Sequence, residues 1–311
     1  MYPGLLVLFP EIARDCLLQY RINHQDGAMI KALSYNLATT ARCSRGICVH
    51  WSGNMSVVGS TGEYEQHISG DISFAIRQYW DITQDTDWLL NTAYPVVRGI
   101  AKFWASKANG VYVINNVIPP DEYAFGNNSG DFAIDFAIKV AQMAGNDVPE
   151  KWLDISSKIK IPFDETKQIH LEYDGYQGQT IKQADVILLG FPLNYPMSKQ
   201  VRLNDLDYYS QRTDENGPAM TYSMEVISRL ELGQYDKAVK VFPRAYANSQ
   251  APFGVWTETP QGGAVNFGCR RFPAVNPVWL GWHSHLRKPT LCQPNLAAKH
   301  IQHDDPWRAL P

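Results

Sequence analysis

The stretch VIPPDEYAFGNNSG, residues 118–131, places two acids, Asp121 and Glu122, directly after two prolines. Because proline fixes φ, the chain that approaches these carboxyls is stiff, and Tyr123 and Phe125 are able to shield a carboxyl from water and raise its pKa. Cleavage of a glycosidic bond needs such a group: a rigidly held carboxyl, protonated near neutral pH, that gives its proton to the leaving oxygen. The residue types also fit an exposed turn. They fit a calcium loop less well, because the stretch has no acid at its last position.

A second set of polar residues fits the same chemistry. Glu258 lies in VWTET, beside an aromatic residue and before a glycine-rich turn, a place that equally suits an exposed loop acid. Lys182 and Gln183 enter an apolar run and are natural donors to sugar hydroxyls, although solvated residues at the start of a helix or strand give the same pattern. Trp256 is a candidate for stacking on a sugar. His67 is expected to cap a helix or pack in the core. The other tryptophans considered are predicted to be core residues: Trp51, Trp80, Trp88, Trp104 and Trp152.

The elements that must position these residues are predicted to be helices. Apolar residues recur at helical spacing, with proline in a first turn, acidic or hydroxyl N-caps and a glycine stop at Gly233 as boundary signals. Pro95 predicts a kink, and Pro3, Gly4 and Pro10 favour a loop that enters the first helix. The predicted helices are 9–20, 70–84, 86–106, 130–145, 217–232 and 235–247.

Helix pairs without alternating strands indicate an all-α array or barrel rather than an α/β fold. A solenoid is less favoured, because no repeat of about 33–35 residues is present. A helical barrel gathers its connecting loops at one end, where residues 118–131 are expected to lie.

Composition excludes several classes of partner. A net charge of −3 gives no basic surface for nucleic acid, and no run of about 18 apolar residues predicts a membrane span. The five cysteines form no CxxC pair and are odd in number, so we expect reduced thiols in a cytoplasmic protein. No metal or other cofactor is predicted.

Several motifs resemble glycoside hydrolase family 65. They are PPDEY with NNS, the N-terminal MYPGLLVLFPEIARDCLLQYR, the pair EQHISGDISFA and YWDITQDTDWL, then IKQADVILLGFPL and PFGVWTETPQGGAVNF, in the family's order. The resemblance implies an (α/α)6 barrel and inverting hydrolysis, with Glu122 as the general acid and Glu258 as the base that activates water. It also places Lys182 and Gln183 where the family grips the non-reducing glucose. Among animal members, the resemblance is to those acting on the glucosyl-α-1,2-galactosyl unit of collagen hydroxylysine, so the expected partner is that carbohydrate.

The resemblance also predicts where the chain departs from the family. The β-sandwich and the first barrel helices are expected to be absent, which would leave apolar residues 5–9 exposed and the 311-residue chain unstable and inactive. Residues 29–62 and 269–311 lose the expected patterns, and a reading frame shifted by one base permits family-like motifs at 46–56 and 270–280. We therefore predict an incomplete catalytic barrel over 1–268, aberrant at 29–62, and an unstructured tail over 269–311, with both misfit stretches arising from frame errors.

Alternative functions stay open. An inactive carbohydrate-binding or scaffold remnant fits an incomplete barrel. A trehalase or a disaccharide phosphorylase is a further alternative, but a phosphorylase binds phosphate through donors where Glu258 would act as a base, so hydrolysis is favoured. An unrelated helical interaction protein fits the helices but not the ordered motifs.

Overall fold

Amphipathic helices form most of the regular structure. The structure, a computed structural model, describes residues 2–27, 67–108, 112–119, 123, 127–129, 133–218, 220–250, 252 and 255–257. Residues 29–62 and 269–311, which we predicted to be aberrant, lie outside the described residues.

The N-terminal helical run is longer than predicted. It comprises α1 (Tyr2–Leu8), α2 (Pro10–Ile12), a π-helical turn (Ala13–Leu18) and α3 (Gln19–Asn23). The expected loop at Pro3 is wrong, since the chain is helical there; the break comes at Phe9 (φ −145°, ψ 67°), where the following Pro10 disfavours helical geometry. Within residues 5–9, Leu6 is buried, whereas Leu8 and Phe9 are exposed.

Two predicted helices form a central pair, and a third packs on them. They are α4 (His67–Thr83), then α5 (Thr86–Trp88) continued by a π-helical turn (Leu89–Ala93) and α6 (Tyr94–Lys107), and finally α7 (Ala133–Met143). Asp85 caps α5, accepting a hydrogen bond of 3.0 Å from the Trp88 amide. Pro95 lies in the first turn of α6, and the π-helical turn directly precedes it, on the side where a proline disturbs helical hydrogen bonds.

The C-terminal half adds helices that the pattern did not predict. It contains α8 (Glu150–Lys158), α9 (Ile187–Gly190), α10 (Lys199–Tyr209), α11 (Met220–Glu231), α12 (Tyr235–Val241) and a 3₁₀ turn (Phe242–Tyr246). Of these, α11 and α12 were predicted. The sequence of α10 hides its helical character, because Arg202 and Asp205 occupy its buried face and break the apolar stripe.

Three short antiparallel hairpins interrupt the helices of the described segments. They pair β1 (Ile114–Val117) with β2 (Asn127–Ser129), β3 (Phe163–Asp164) with β4 (Ile169–His170), and β5 (Ser249–Gln250) with β6 (Val255–Trp256). The prediction of a mainly helical fold is confirmed, and the hairpins are an addition to it.

The core lies between these helices. One apolar cluster joins the N-terminal run to α4–α8, and a second joins α9–α11 to the segment around Tyr176 and Ile181. The tryptophans predicted as core residues are buried at 3–9% exposure: Trp80, Trp88, Trp104 and Trp152. Trp51 lies outside the described residues. No helix in the described ranges has the length and apolar content needed to cross a membrane.

Candidate active site

The loop with the acidic pair is carried by the β1–β2 hairpin. Val117 pairs with Asn127, so the two ends of the 118–126 loop lie next to each other. Asp121 and Glu122 themselves lie outside the described residues, so the role of Glu122 stays a prediction.

His67 anchors the start of this loop. Its Nδ1 lies 3.2 Å from the carbonyl oxygen of Ile118, and because a carbonyl only accepts, the ring nitrogen is the donor. Ile118 and Pro119 are both buried. His67 begins α4 and is partly buried, and its contact with Ile118 ties that helix to the loop.

Tyr123 connects the loop to a distant segment of the chain. It is 58% exposed, and its hydroxyl donates a 3.2 Å hydrogen bond to Oδ2 of Asp214. Because Glu122 lies outside the described residues, the shielding of its carboxyl by Tyr123 stays a prediction.

That distant segment is a tight turn at residues 214–217, Asp-Glu-Asn-Gly, which we call the 214–217 turn. Asp214 accepts the amide hydrogen of Asn216 on its Oδ1 (2.9 Å) and that of Gly217 on its carbonyl oxygen (3.1 Å). A side chain on Gly217 would overlap the carbonyl oxygen of Lys182. Only glycine therefore allows this close approach without backbone movement.

The same turn supports the Lys182–Gln183 stretch. The amide of Asp214 donates to the carbonyl oxygen of Ile181 (2.8 Å), and the amide of Ile181 donates to that of Arg212 (2.9 Å). The residue before the Lys182–Gln183 pair and the hydroxyl of Tyr123 are thus both hydrogen-bonded to Asp214.

Gln183 is only 7% exposed, which is incompatible with a solvated residue at a helix or strand start. The next amide, of Ala184, donates 2.7 Å to Oγ1 of Thr221 at the beginning of α11. Thr221 is itself 2% exposed. Lys182 and Gln183 are therefore held by backbone bonds on both sides.

The chain before Glu258 is fixed by the β5–β6 hairpin. Trp256 pairs with Ser249, and Thr257 donates from both its amide (3.2 Å) and its Oγ1 (3.0 Å) to the carbonyl oxygen of Asn248. Glu258 lies outside the described residues, so its separation from Glu122 stays a prediction, as does stacking by Trp256.

A buried ionic group lies further along α11. Arg229, with a side chain 4% exposed, donates to Oε1 of Glu225 (2.7 Å), Oδ1 of Asp207 (3.0 Å) and Oε1 of Gln234 (2.6 Å). Burial raises the pKa of Glu225, and the positive charge of Arg229 opposes that rise. Burial would also raise the pKa of Asp207, but hydrogen bonds from Lys237 and Arg229 outweigh it and lower that pKa.

A second buried pair joins α10 to the β3–β4 hairpin. Oδ1 of Asp205 accepts a hydrogen bond of 2.8 Å from the backbone amide of His170, and Oδ2 lies 2.7 Å from Nδ1 of the His170 ring. Burial raises the pKa of Asp205, and the hydrogen bond from His170 works against the rise. These contacts hold α10 against the β3–β4 hairpin.

One further cleft, of about 470 Å³, lies beside α10. It includes Tyr208 and Arg212 in its lining and none of the predicted site residues. The guanidinium of Arg212 lies 3.6 Å from the centroid of Tyr208, so that ring face is not open to a sugar. Among the described residues, no group of three or more His, Cys, Asp or Glu side chains is placed to hold a metal ion.

Sequence reasoning missed Asp214, Gly217 and Thr221. The Asp-Glu-Asn-Gly composition does signal a turn, but nothing in it reveals which distant segments the turn joins. Thr221 carries no local signal, since its partner amide is 37 residues away.

Comparison with known proteins gives a consistent family. The model of the glycosyl hydrolase family 65 central catalytic domain matches residues 1–179. The chain is 47% identical to the protein-glucosylgalactosylhydroxylysine glucosidase of Dictyostelium discoideum, over 86% of this chain and 40% of that protein. It is 39% identical to the Danio rerio protein of the same name, over 86% and 43%. The chain thus spans less than half the length of these relatives.

A solved structure assigned as a kojibiose phosphorylase from the human microbiome is similar in fold. Its TM-score is 0.65 at 18% identity, over 78% of this chain and 41% of that one. At that identity, the similarity concerns the fold alone.

Proposed function

Since the chain belongs to glycoside hydrolase family 65, we propose that it removes α-linked glucose from a disaccharide, with the glucosyl-α-1,2-galactosyl unit of hydroxylysine as substrate. The observation that carries the proposal is the 47% identity to a relative with that substrate in its name, across 86% of this chain. We further propose that the helices belong to an (α/α)6 barrel, in support of which stands the similar fold of the phosphorylase.

The proposed reaction is an inverting hydrolysis. Glu122 donates its proton to the leaving galactosyl oxygen while Glu258 removes a proton from water, which attacks the anomeric carbon from the opposite face. The two carboxyls then need a separation of about 6.5–9.5 Å, which leaves room for the water. What supports fixed positions for the two acids is that described residues near each are hydrogen-bonded: Ile118 by His67, and Thr257 by Asn248.

Substrate binding is assigned to Lys182, Gln183 and Trp256. The first two would donate to the hydroxyls of the terminal glucose, and Trp256 would stack beside Glu258. The support for Lys182 and Gln183 is their place beside the 214–217 turn, which also contacts Tyr123 of the acid loop.

Glucose release from glucosyl-α-1,2-galactose tests the proposal. The proposal requires release without added phosphate, with the β-anomer formed first, and little turnover of trehalose or kojibiose. Such release would also show that the expectation of an unstable and inactive 311-residue chain is wrong. Glu122→Gln should lower kcat by about 10²–10⁴-fold on the disaccharide, because it removes the proton but keeps the shape. The loss should be much smaller on a glucoside with an activated leaving group.

Three results would count against this proposal. Release that depends on phosphate would identify a phosphorylase, and faster turnover of trehalose would identify a trehalase. Glucose binding without any release would identify a binding remnant.

A further inference from the structure

We propose that Asp214 is a positioning residue for the acid loop: it holds the loop through Tyr123 against the segment that carries Lys182 and Gln183. The inference rests on the proposed function of this site and adds to it a residue outside the family motifs quoted above.

The side chain of Asp214 is the link to the loop. Its Oδ2 accepts the Tyr123 hydroxyl at 3.2 Å, across 91 residues of sequence. Tyr123 directly follows Glu122 in the chain. A hydrogen bond at Tyr123 therefore restrains the backbone one residue from the proposed acid.

The backbone of Asp214 is the link to the sugar-gripping stretch. Its amide donates to the carbonyl oxygen of Ile181 (2.8 Å), and Gly217, at the end of the same turn, leaves room for the carbonyl oxygen of Lys182. Asp214 therefore bonds both Tyr123 of the acid loop and Ile181, the residue before Lys182.

The chemistry of the position calls for a carboxylate. Oδ2 accepts from Tyr123 while Oδ1 accepts from the amide of Asn216 at 2.9 Å. An asparagine has one oxygen, so it can accept from only one of these two donors, and its amide nitrogen can hold the Tyr123 hydroxyl only in the reverse direction, with that hydroxyl as the acceptor. An alanine satisfies neither.

The expected consequence concerns proton transfer more than binding. General-acid catalysis depends on holding the carboxyl within hydrogen-bond reach of the leaving oxygen, and displacements of about 1 Å can cost 10²-fold in rate. Loss of the Tyr123–Asp214 bond loosens the loop without removing the acid. The effect should therefore be larger for substrates whose leaving group needs protonation.

The test uses the full chain and the variants Tyr123→Phe, Asp214→Asn and Asp214→Ala. Glu215→Gln is the matched control, since Glu215 lies in the same turn with its side chain 84% exposed. Hydrogen exchange of peptides covering 112–129 is measured by mass spectrometry, together with kcat and KM on glucosyl-α-1,2-galactose and on 4-nitrophenyl α-glucoside.

We expect Tyr123→Phe and Asp214→Ala to raise exchange in the loop about tenfold, as loss of one hydrogen bond allows. Both should lower kcat on the disaccharide by about tenfold with KM within about twofold, and should lower kcat on the aryl glucoside by less than about threefold. Asp214→Asn should fall between Asp214→Ala and the parent. Glu215→Gln should match the parent in every measurement.

Two results would overturn the inference. One is unchanged exchange at 112–129 in Tyr123→Phe. The other is an equal fall of kcat on both substrates, which indicates a general structural role. If the parent chain releases no glucose from either substrate, the proposed function fails, and hydrogen exchange by itself then decides whether Asp214 orders the loop.

Discussion

Arg229→Met should destabilise the protein strongly, because it removes one partner of a buried ion pair. Arg229 and Glu225 have side chains only 4% and 5% exposed, at 2.7 Å from each other. Methionine keeps much of the length and apolar surface of arginine but none of its donors. The carboxylate of Glu225 would then remain buried without its compensating charge.

The magnitude follows from that burial. Removing one member of a buried ion pair costs about 3–5 kcal/mol, most of it from the charge left behind. At about 2–4 °C per kcal/mol for a domain of 150–250 residues, the Tm should fall by about 6–20 °C. Whole domains are stable by about 5–15 kcal/mol, so the variant should still fold in part at low temperature.

Thermal denaturation of the parent, Arg229→Met and the double variant Arg229→Met/Glu225→Met measures the effect. The double variant should recover most of the loss, because apolar replacement of both members of a buried pair is often neutral. Lys160→Met is the matched control: Lys160 pairs with Asp174 at 2.7 Å with side chains 52% and 39% exposed, and such surface pairs contribute below about 1 kcal/mol.

Acid pH supplies an independent check. Without Arg229, the pKa of Glu225 should rise further, so its carboxyl takes up a proton in the folded state at a higher pH than in the unfolded chain. A carboxyl whose pKa is raised in the folded state favours folding as the pH falls. The loss of unfolding free energy in Arg229→Met, relative to the parent, should therefore be smaller at about pH 5 than at about pH 7.5. The reasoning would be refuted if Arg229→Met lowered the Tm no more than Lys160→Met does, or if the double variant were as unstable as Arg229→Met.

Other perturbations have equally specific outcomes. Gly217→Ala should lower the free energy of unfolding by about 1–3 kcal/mol, and so the Tm, because its methyl overlaps a backbone oxygen. Gly27→Ala, whose methyl meets nothing within 4 Å, is the control. Asp207→Asn should make the free energy of unfolding less dependent on pH in acid. Because the pKa of Asp207 is lowered in the folded protein, its carboxylate stabilises the fold above the ordinary pKa of 3.8, and this gain is lost as the pH falls below that value. Urea titrations at about pH 6 and about pH 3 measure the difference. Phe103→Ala, at a fully buried position, should cost about 3–5 kcal/mol in the same titration.

The helices that sequence predicted best have an uninterrupted apolar stripe. In α4, Ile72, Ile76, Tyr79 and Trp80 are all buried, and their spacing alone predicts that face. In α10, by contrast, the buried face carries Arg202 and Asp205. Their partners, Glu231 and His170, are supplied by other segments, so no local pattern can identify them as interior residues.

The candidate site shows the same limit. The family resemblance, not residue type, implied that Lys182, Gln183 and the loop at 118–131 belong to one site, and the 214–217 turn contacts both Ile181, just before Lys182, and Tyr123. The link through Asp214 was not predictable, because it depends on how two segments 91 residues apart are packed. Whether Tyr123 shields the neighbouring carboxyl stays a prediction, because Glu122 lies outside the described residues.

The long sequence separation of the Tyr123–Asp214 contact also bears on the order of folding. The helix pair formed by α11 and α12 closes over a few residues, whereas the 214–217 turn meets the acid loop only after a segment of 91 residues has been ordered. Loop closure costs more entropy as the intervening chain lengthens, and contacts between distant segments slow folding. We therefore expect the helical scaffold to form first and the end with the acid loop to assemble last. A nascent chain that has not yet reached Asp214 would carry the acid loop without its distant anchor.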